Sequence, residues 1–207
     1  MIFKDRFTAG KLLAKELKKY KNKKDAVVLA IPRGGLQVGY SIAKELNLNL
    51  DIIVTKKISY PGNPEYAIGA VSLKEEAIDN KEVSKEYIKN EIKKIRRILK
   101  ERYKKYNTRQ INVKNKIVIL VDDGIATGKT MLLTIDLIKK QKPKKLIVVV
   151  PVGPAENIEL LKEKAEVTCL YSPEHFFAIG EFYENFEQVS DEEAISLVKE
   201  IQSLHKN

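Results

Sequence analysis

The sequence predicts an α/β fold, in which a parallel sheet of about five strands carries helices on both faces. Short runs of apolar, mostly β-branched residues recur along the 207-residue chain, separated by segments with apolar residues at helical spacing. Apolar runs without polar alternation are typical of strands buried on both faces. Because a helical crossover joins parallel neighbours, this alternation favours a parallel sheet.

The first half of the chain supplies two of the predicted strands. Thr8 is the predicted N-cap of a helix over residues 9–20, whose apolar residues form one stripe. A buried strand at residues 26–31 leads through a glycine-rich turn into a second helix, and another strand covers residues 50–55.

Residues 56–71 combine many turn formers with two short β-like pieces, and we predict that they form a mobile loop. Long loops that are not of low complexity often act as lids. Lys56 and Lys57 open this segment, and each is either solvated or directed at an anionic ligand. The sequence leaves open which of the two points inward.

The second half of the chain opens with a long amphipathic helix, predicted over residues 80–106. Its apolar residues recur at spacings of three and four, while Lys and Arg cover the other faces, which favours a solvated surface over contact with nucleic acid. The remaining predicted strands cover residues 117–121, 145–150 and 167–170. The remaining predicted helices are one directly after the 117–121 strand and its turn, one at 155–164 and one at 191–204.

Composition describes one globular domain over residues 1–207, with 43% hydrophobic and 32% charged residues. Cys169 is the single cysteine, so no internal disulfide is expected and a reducing compartment is favoured. No apolar run reaches the ~18 residues of a membrane span, and the N-terminus lacks an apolar signal core. We therefore expect a cytoplasmic protein that does not bind membranes.

The formal net charge of +10 raises the hypothesis of nucleic-acid binding. However, Lys and Arg are spread along the chain, and the densest stretches lie beside Glu in amphipathic helices. A polyanionic small ligand or a Lys-rich solvated surface explains the charge equally well.

The most informative stretch is residues 117–130, where a buried strand ends at Asp122 and Asp123 and turns into a helix. Unpaired N–H groups and the helix dipole favour an anion at such a helix start, so the turn predicts a phosphate cradle. The two carboxylates would repel phosphate unless the ligand also carries hydroxyls or a metal, and a sugar phosphate meets both demands. The cradle residues are Ala126, Thr127, Gly128, Lys129 and Thr130.

Two other interpretations of this stretch remain. In one, the aspartates only cap the turn. In the other, Gly128-Lys129-Thr130 is the end of a nucleotide-binding P-loop. That motif needs glycine at position 123, where this chain has an aspartate that would oppose a triphosphate.

A second turn, Pro32-Arg33-Gly34-Gly35, also joins a buried strand to a helix. Paired glycines allow unusual dihedral angles and close backbone approach, and Arg33 offers a fork of donors that suits phosphate oxygens. Since ligands bind beyond the carboxyl ends of parallel strands, the two turns are expected to converge. The aromatic residues of 171–186 either stack on a nucleobase or form core under a cap.

Residues 118–130 resemble the phosphoribosyl-pyrophosphate (PRPP) signature of type I phosphoribosyltransferases: apolar residues, two acidic residues, then Thr-Gly-x-Thr. The resemblance covers nearly the full chain, including Asp5-Arg6, the segment 61–70 and the ending 188–191, and is to phosphoribosyltransferases of unknown acceptor. It implies a Rossmann-like sheet, a small hood from the N- and C-terminal segments, and a mobile loop over about residues 56–71.

The resemblance also implies roles for the candidate residues. Asp122 and Asp123 would hold the ribose hydroxyls, and the 126–130 cradle would grip the 5′-phosphate. Arg33, Gly34 and Gly35 would form the pyrophosphate loop, with Lys56 or Lys57 neutralising pyrophosphate. Mg²⁺ would bridge ligand oxygens and meet Asp122 and Asp123 only through water. The hood candidates for the acceptor are Phe176, Phe177 and Tyr183.

The implied activity is transfer of phosphoribose to a nucleobase-like nitrogen with release of pyrophosphate, by a homodimer. Enzymes for 6-oxopurines carry an acidic residue at the position of Ala126, so alanine argues against hypoxanthine and guanine. Two alternatives stay open: a PRPP-sensing regulator, which could bind RNA, and altered chemistry such as phosphorolysis or hydrolysis of a phosphorylated sugar.

Overall fold

The computed structural model describes residues 1–79, 82–108 and 110–204, without the side chain of Glu65. A parallel sheet lies at its centre, a small antiparallel sheet lies beside it, and helices cover the rest. In chain order the elements are α1 (Arg6–Glu16), β1 (Ala26–Ala30), α2 (Gly34–Leu46), β2 (Asn49–Ile52), β3 (Lys56–Tyr60), β4 (Asn63–Val71), β5 (Glu76–Ile78), α3 (Lys85–Tyr106), β6 (Ile117–Val121), α4 (Lys129–Lys140), β7 (Lys145–Val152), α5 (Ala155–Lys162), β8 (Glu166–Tyr171) and α6 (Asp191–Leu204).

The central sheet has five strands in the order β2-β1-β6-β7-β8, and every neighbouring pair is parallel. This confirms the predicted sheet and its strand number. From β1 the next strand in sequence is added on one side (β2), and from β6 the later strands are added on the other side (β7, β8), so the strand order reverses between β1 and β6. These two strands pair in parallel from Ala26↔Ile117 to Ala30↔Val121. Ligands of such sheets bind at the carboxyl ends of the two strands that flank this point.

Both faces of the sheet are buried, which explains its unbroken apolar runs. Along β1, Val28 packs into the core beneath α2, α3 and α6, while Val27 and Leu29 pack into the core beneath α4 and α5. In β6, Ile119 and Leu120 divide between the same two cores. Successive strand residues point to opposite faces, so only a continuous apolar run can supply two cores.

The segment predicted as a loop, residues 56–71, is instead an antiparallel β-hairpin of β3 and β4, to which β5 adds a third strand. The prediction missed the hairpin because turn residues surround its few buried positions, among them Ile58 and Ile68. Gly62 forms its tip with a positive φ of 77°, which glycine adopts without strain. Mobility of this segment stays a prediction.

Several predicted ends were also wrong. Asp5, not Thr8, caps α1: its carboxylate accepts the Thr8 N–H at 2.6 Å, so Thr8 lies in the first turn. The helix ends at Glu16, and a 3₁₀ turn continues over Lys18–Tyr20. The strand β2 ends at Ile52, because beyond it the Val54 N–H donates to the Tyr103 hydroxyl instead of a strand.

The predicted long helix begins at Lys85, with Ser84 as its N-cap. The predicted start, Asn80, lies outside the described residues. The closing helix spans Asp191–Leu204 as predicted. Among the helices of the described residues, none is long and apolar enough to cross a membrane.

An aromatic cluster, formed by Phe3, Phe176, Phe182, Tyr183 and Phe186 among others, joins the two ends of the chain. The Phe3 N–H donates to the Phe182 carbonyl at 2.8 Å, and the Glu184 N–H donates to the Phe3 carbonyl at 2.8 Å. The N- and C-terminal segments therefore lie together.

Candidate functional site

The 126–130 loop follows β6 and starts α4. Gly128 precedes the first helical residue with φ 70°, a left-handed conformation that favours glycine. Thr127 and Thr130 are exposed, and the Asn157 side-chain amide of α5 donates to the Ala126 carbonyl. This geometry turns the unpaired N–H groups of the α4 start outward, as anion binding requires.

A cavity of about 190 Å³ opens above this loop. Asp122 and Ile179 line it together with the loop residues Ala126, Thr127 and Gly128. The structure therefore brings one predicted carboxylate and the predicted phosphate cradle into one cavity.

The Asp122 carboxylate is held at the carboxyl end of β6, where its Oδ1 accepts the Asp123 N–H at 2.9 Å. Burial raises the pKa of Asp122 well above its usual range, and the negative charge of neighbouring Asp123 raises it further. Asp122 therefore holds its proton more tightly than an isolated surface carboxyl group.

Asp123 has a different environment, although it is the next residue. Its Oδ2 accepts a hydrogen bond from Arg6 Nε at 2.7 Å, and the two side chains are 13% and 7% exposed, respectively. The Tyr183 hydroxyl donates to the Asp123 carbonyl at 2.7 Å. Sequence reasoning missed the role of Arg6, although Asp5-Arg6 was part of the family resemblance.

The 32–35 turn lies against the two aspartates. A Cβ on Gly34 would overlap the Asp123 carboxylate, and a Cβ on Gly35 would lie 2.9 Å from the Val121 carbonyl oxygen. The sequence suggested two reasons for these glycines, unusual dihedral angles and close backbone approach. Neither glycine has a positive φ, so close approach is the reason that the structure supports. The Pro32–Arg33 peptide bond is cis.

The Arg33 side chain points into a separate cleft of about 440 Å³, which Arg102, Lys105 and Asp191 also line. Its Nη1 lies 4.0 Å from Asp191 Oδ1. Among the described residues that line the 190 Å³ cavity, Arg33 does not occur. The structure therefore brings the backbone of the 32–35 turn to the aspartates, but not the Arg33 guanidinium.

The two lysines at the start of β3 differ in what they face. Lys57 lines a cleft of about 530 Å³ together with Thr127, Lys129 and Tyr66. Lys56 is not among the described residues that line this cleft, since successive strand residues point to opposite sides. Of the two lysines, Lys57 lines the same cleft as the 126–130 loop. The sequence alone did not decide between them.

The predicted hood residues do not line the 190 Å³ cavity, within the described residues. Phe177 is 86% exposed, Phe176 stacks on Phe182 at 5.3 Å, and Tyr183 is buried in the aromatic cluster. Ile179 lines the cavity instead, and its Cγ2 would lie 2.6 Å from a Cβ on Gly124. No sequence signal marks this isoleucine.

Residues that could hold a metal ion are few. No group of three or more His, Cys, Asp or Glu side chains suited to a metal occurs in residues 1–79, 82–108 and 110–204. Asp122 and Asp123 are the carboxylates beside the cavity, and Arg6 already occupies one oxygen of Asp123. A Mg²⁺ ion here would take most of its oxygen ligands from substrate and water.

Comparison with known proteins gives the same family as the signature. The sequence profile of the phosphoribosyl transferase domain matches residues 4–187. A protein of Mycobacterium tuberculosis with the provisional name phosphoribosyl transferase is 33% identical over 208 residues, which cover 95% of this chain and 46% of the relative. The chain thus spans about half the length of the curated relatives it matches.

Two solved structures extend the comparison. One, of a protein from Thermus thermophilus, is 35% identical with a TM-score of 0.88 and covers 97% of this chain and 99% of that chain. Another, of a protein from Aquifex aeolicus, shares the fold at 17% identity with a TM-score of 0.51, covering 80% of this chain and 73% of that chain. Taken with the matched domain, these findings show that the chain belongs to the phosphoribosyl transferase family.

Proposed function

We propose that this protein binds PRPP with Mg²⁺ and transfers the phosphoribosyl group to a nucleobase-like nitrogen, releasing pyrophosphate. The observation that carries the proposal is the shared cavity of Asp122 and the 126–130 loop. An anion cradle next to a carboxylate suits a sugar phosphate, because the carboxylate accepts hydrogen bonds from ribose hydroxyls while the cradle takes the phosphate.

In the transfer, the bond from C1 of ribose to pyrophosphate breaks with its electron pair leaving on pyrophosphate, a bond from C1 to the acceptor nitrogen forms, and the proton of that nitrogen passes to water or to a pyrophosphate oxygen. The residues act by positioning and electrostatics, because positive charge develops on the ribose ring and negative charge on the leaving group. Asp122 orients the ribose and stabilises the ring, while Lys57 offsets the charge of pyrophosphate. Arg33 also stabilises the leaving pyrophosphate once its guanidinium leaves Asp191 and binds the ligand instead.

Asp122 lines the cavity and would hold, through water, a Mg²⁺ ion that arrives with PRPP, whereas Arg6 already occupies one carboxylate oxygen of Asp123. When bound, the ion neutralises pyrophosphate oxygens.

For the acceptor, we propose a ring whose recognition needs no acidic side chain at position 126, because this chain has alanine there. Ala126 and Ile179 are among the apolar residues that line the cavity together with Asp122. A 6-oxopurine would find no carboxylate there, so hypoxanthine and guanine are disfavoured. We further propose that the protein is a cytoplasmic homodimer.

The alternative is a PRPP-sensing protein that binds RNA without turnover. The observation in its favour is a row of exposed basic residues along α3: Lys89, Lys93, Arg97, Lys100 and Lys104. RNA binding that weakens steeply with salt, together with no pyrophosphate release in any acceptor screen, would identify this function.

The first test is thermal unfolding with and without PRPP and Mg²⁺, in wild type and Asp122→Asn. A ligand at about 100 times its Kd adds about 2.7 kcal/mol, which raises Tm by about 5–11 °C in a chain of this size. We expect that shift in wild type and its loss in Asp122→Asn. Asp136→Asn is the matched control, since Asp136 pairs with Lys164 on the surface.

A wild-type Tm that does not respond to millimolar PRPP would overturn the proposal. If the shift is present, a screen of acceptors by pyrophosphate release follows, with adenine, uracil and orotate tested beside hypoxanthine.

A further inference from the structure

We infer that Arg6 is a positioning residue, which neutralises and fixes Asp123 so that Asp122 alone meets the ribose hydroxyls. The inference rests on the proposed function, because it assigns different tasks to the two aspartates of the PRPP signature. Family resemblance alone gives both aspartates the same task.

Two separate parts of the chain, Asp123 after β6 and residues 186–187 near the C-terminus, hold the Arg6 guanidinium. Its Nε donates to Asp123 Oδ2 at 2.7 Å, and its Nη1 donates to the Glu187 carbonyl at 2.8 Å. Its central carbon lies 3.7 Å from the centroid of the Phe186 ring, within the range of a cation–π contact. These contacts on several sides restrict the orientation of the buried Arg6 guanidinium, and thereby the orientation of the carboxylate that it binds.

The charges explain why Asp123 needs this partner. Asp122 and Asp123 are adjacent acidic residues, and the Asp123 side chain is only 13% exposed. An unpaired buried carboxylate would be costly. It would also repel the phosphates of PRPP. Arg6 cancels the charge of Asp123 and leaves a single uncompensated carboxylate in the pair.

The positions of the two aspartates relative to the cavity agree with this division. Asp122 lines the cavity above the 126–130 loop, whereas Asp123 is not among the described lining residues of that cavity. The Asp123 carboxylate instead faces Arg6 and the 32–35 turn.

The same ion pair supports the 32–35 turn. A Cβ on Gly34 would overlap the Asp123 carboxylate and lie 3.0 Å from Arg6 Nε. The turn therefore rests directly on the pair, and any shift of Asp123 is transmitted to the segment proposed to hold pyrophosphate. Arg6 thereby links the ribose and pyrophosphate ends of the proposed site.

The test is the affinity for PRPP with Mg²⁺, measured by calorimetry in wild type and in Asp122→Asn, Asp123→Asn, Arg6→Gln, Arg6→Lys and Arg6→Gln/Asp123→Asn. Asp122→Asn should weaken binding at least about tenfold, a loss of about 1.4 kcal/mol, whereas Asp123→Asn should change it less than about threefold. Arg6→Gln should weaken binding at least about tenfold, because it exposes PRPP to the charge of Asp123.

The double variant separates positioning from mere stability. Removing the carboxylate as well as the guanidinium should restore affinity to within about threefold of Asp123→Asn, although the protein stays less stable than wild type. Arg6→Lys keeps the charge but not the fork of donors, so an intermediate affinity is expected. Arg97→Gln is the matched control, since Arg97 is exposed and pairs only weakly with Glu101 at 3.8 Å.

Two results would overturn the inference while leaving the proposed function intact. One is wild-type affinity in folded Arg6→Gln or, if that variant does not fold, in Arg6→Lys. The other is a loss of affinity in Asp123→Asn equal to that in Asp122→Asn. If wild type itself does not bind PRPP, the proposed function fails and the division of tasks fails with it.

Discussion

At the scale of single residues, the candidate site depends on small side chains as much as on charged ones. Gly34 and Gly35 bring the turn after β1 against the aspartates after β6, and Gly128 starts α4 in a left-handed conformation. The sequence marks all three as glycines, and their positions after buried strands indicate an anion site. Only the structure shows that Gly34 faces a carboxylate.

Gly34→Ala should therefore abolish the stabilisation by PRPP, because its methyl group would displace the Asp123 carboxylate and the turn above it. The measurement is the PRPP-induced shift in Tm. Gly62→Ala is the control: with φ 77° and nothing within 4 Å of the added Cβ, it should lower Tm through backbone strain and leave the shift unchanged. A normal shift in Gly34→Ala would show that the turn does not contribute to binding.

At the scale of elements, the β3–β4 hairpin is what adds a cation to the 126–130 loop. The strand alternation directs Lys57 towards Thr127 and Lys129, and Tyr66 of β4 lines the same cleft. The hairpin is thus a wall of the candidate site, whether or not it moves.

The hairpin geometry predicts unequal effects for its two lysines. Lys57→Gln should weaken PRPP binding about tenfold or more, since it removes a positive charge from the cleft that the 126–130 loop also lines. Lys56→Gln removes the same charge from the neighbouring position and should change the affinity less than about threefold. Titrations at two salt concentrations measure both, and equal losses in the two variants would argue for general attraction between PRPP and the basic surface.

At the scale of the whole molecule, a buried carboxylate ties the sheet to the connection between α3 and β6. Asp51 of β2 is 1% exposed, and its two oxygens accept the N–H groups of Ile52 at 2.8 Å and Ile111 at 2.6 Å. Burial raises the pKa of Asp51 above its ordinary value of 3.8, and these two hydrogen bonds offset only part of that rise.

Asp51 should make the protein more stable in acid than its other carboxylates alone would allow. A pKa that is higher in the folded state means that the folded protein binds the proton more tightly. The contribution of Asp51 to stability is therefore largest below pH 3.8 and declines as pH rises from 3.8 through the raised value. Urea unfolding of wild type and Asp51→Asn between pH 4 and 7 measures it.

In Asp51→Asn this pH-dependent contribution is absent, so the stability of wild type relative to the variant should increase as pH falls. Asp25→Asn serves as the opposite control, because Lys144 lowers the pKa of exposed Asp25. A pH-independent difference between wild type and Asp51→Asn would show that Asp51 does not titrate differently in the folded and unfolded states.

The sequence by itself determined the central parallel sheet, the alternation of its strands with helices, and the two turns of the candidate site, because buried strands and helix starts have local patterns. Only the tertiary structure decided the rest. The ion pair of Arg6 and Asp123 joins residues 117 positions apart, and Ile179 reaches the cavity from the C-terminal segment. Local sequence patterns do not predict such contacts, because they form only when segments distant in sequence pack together. The two aspartates look equivalent in sequence, and their different neighbours in space make them unequal.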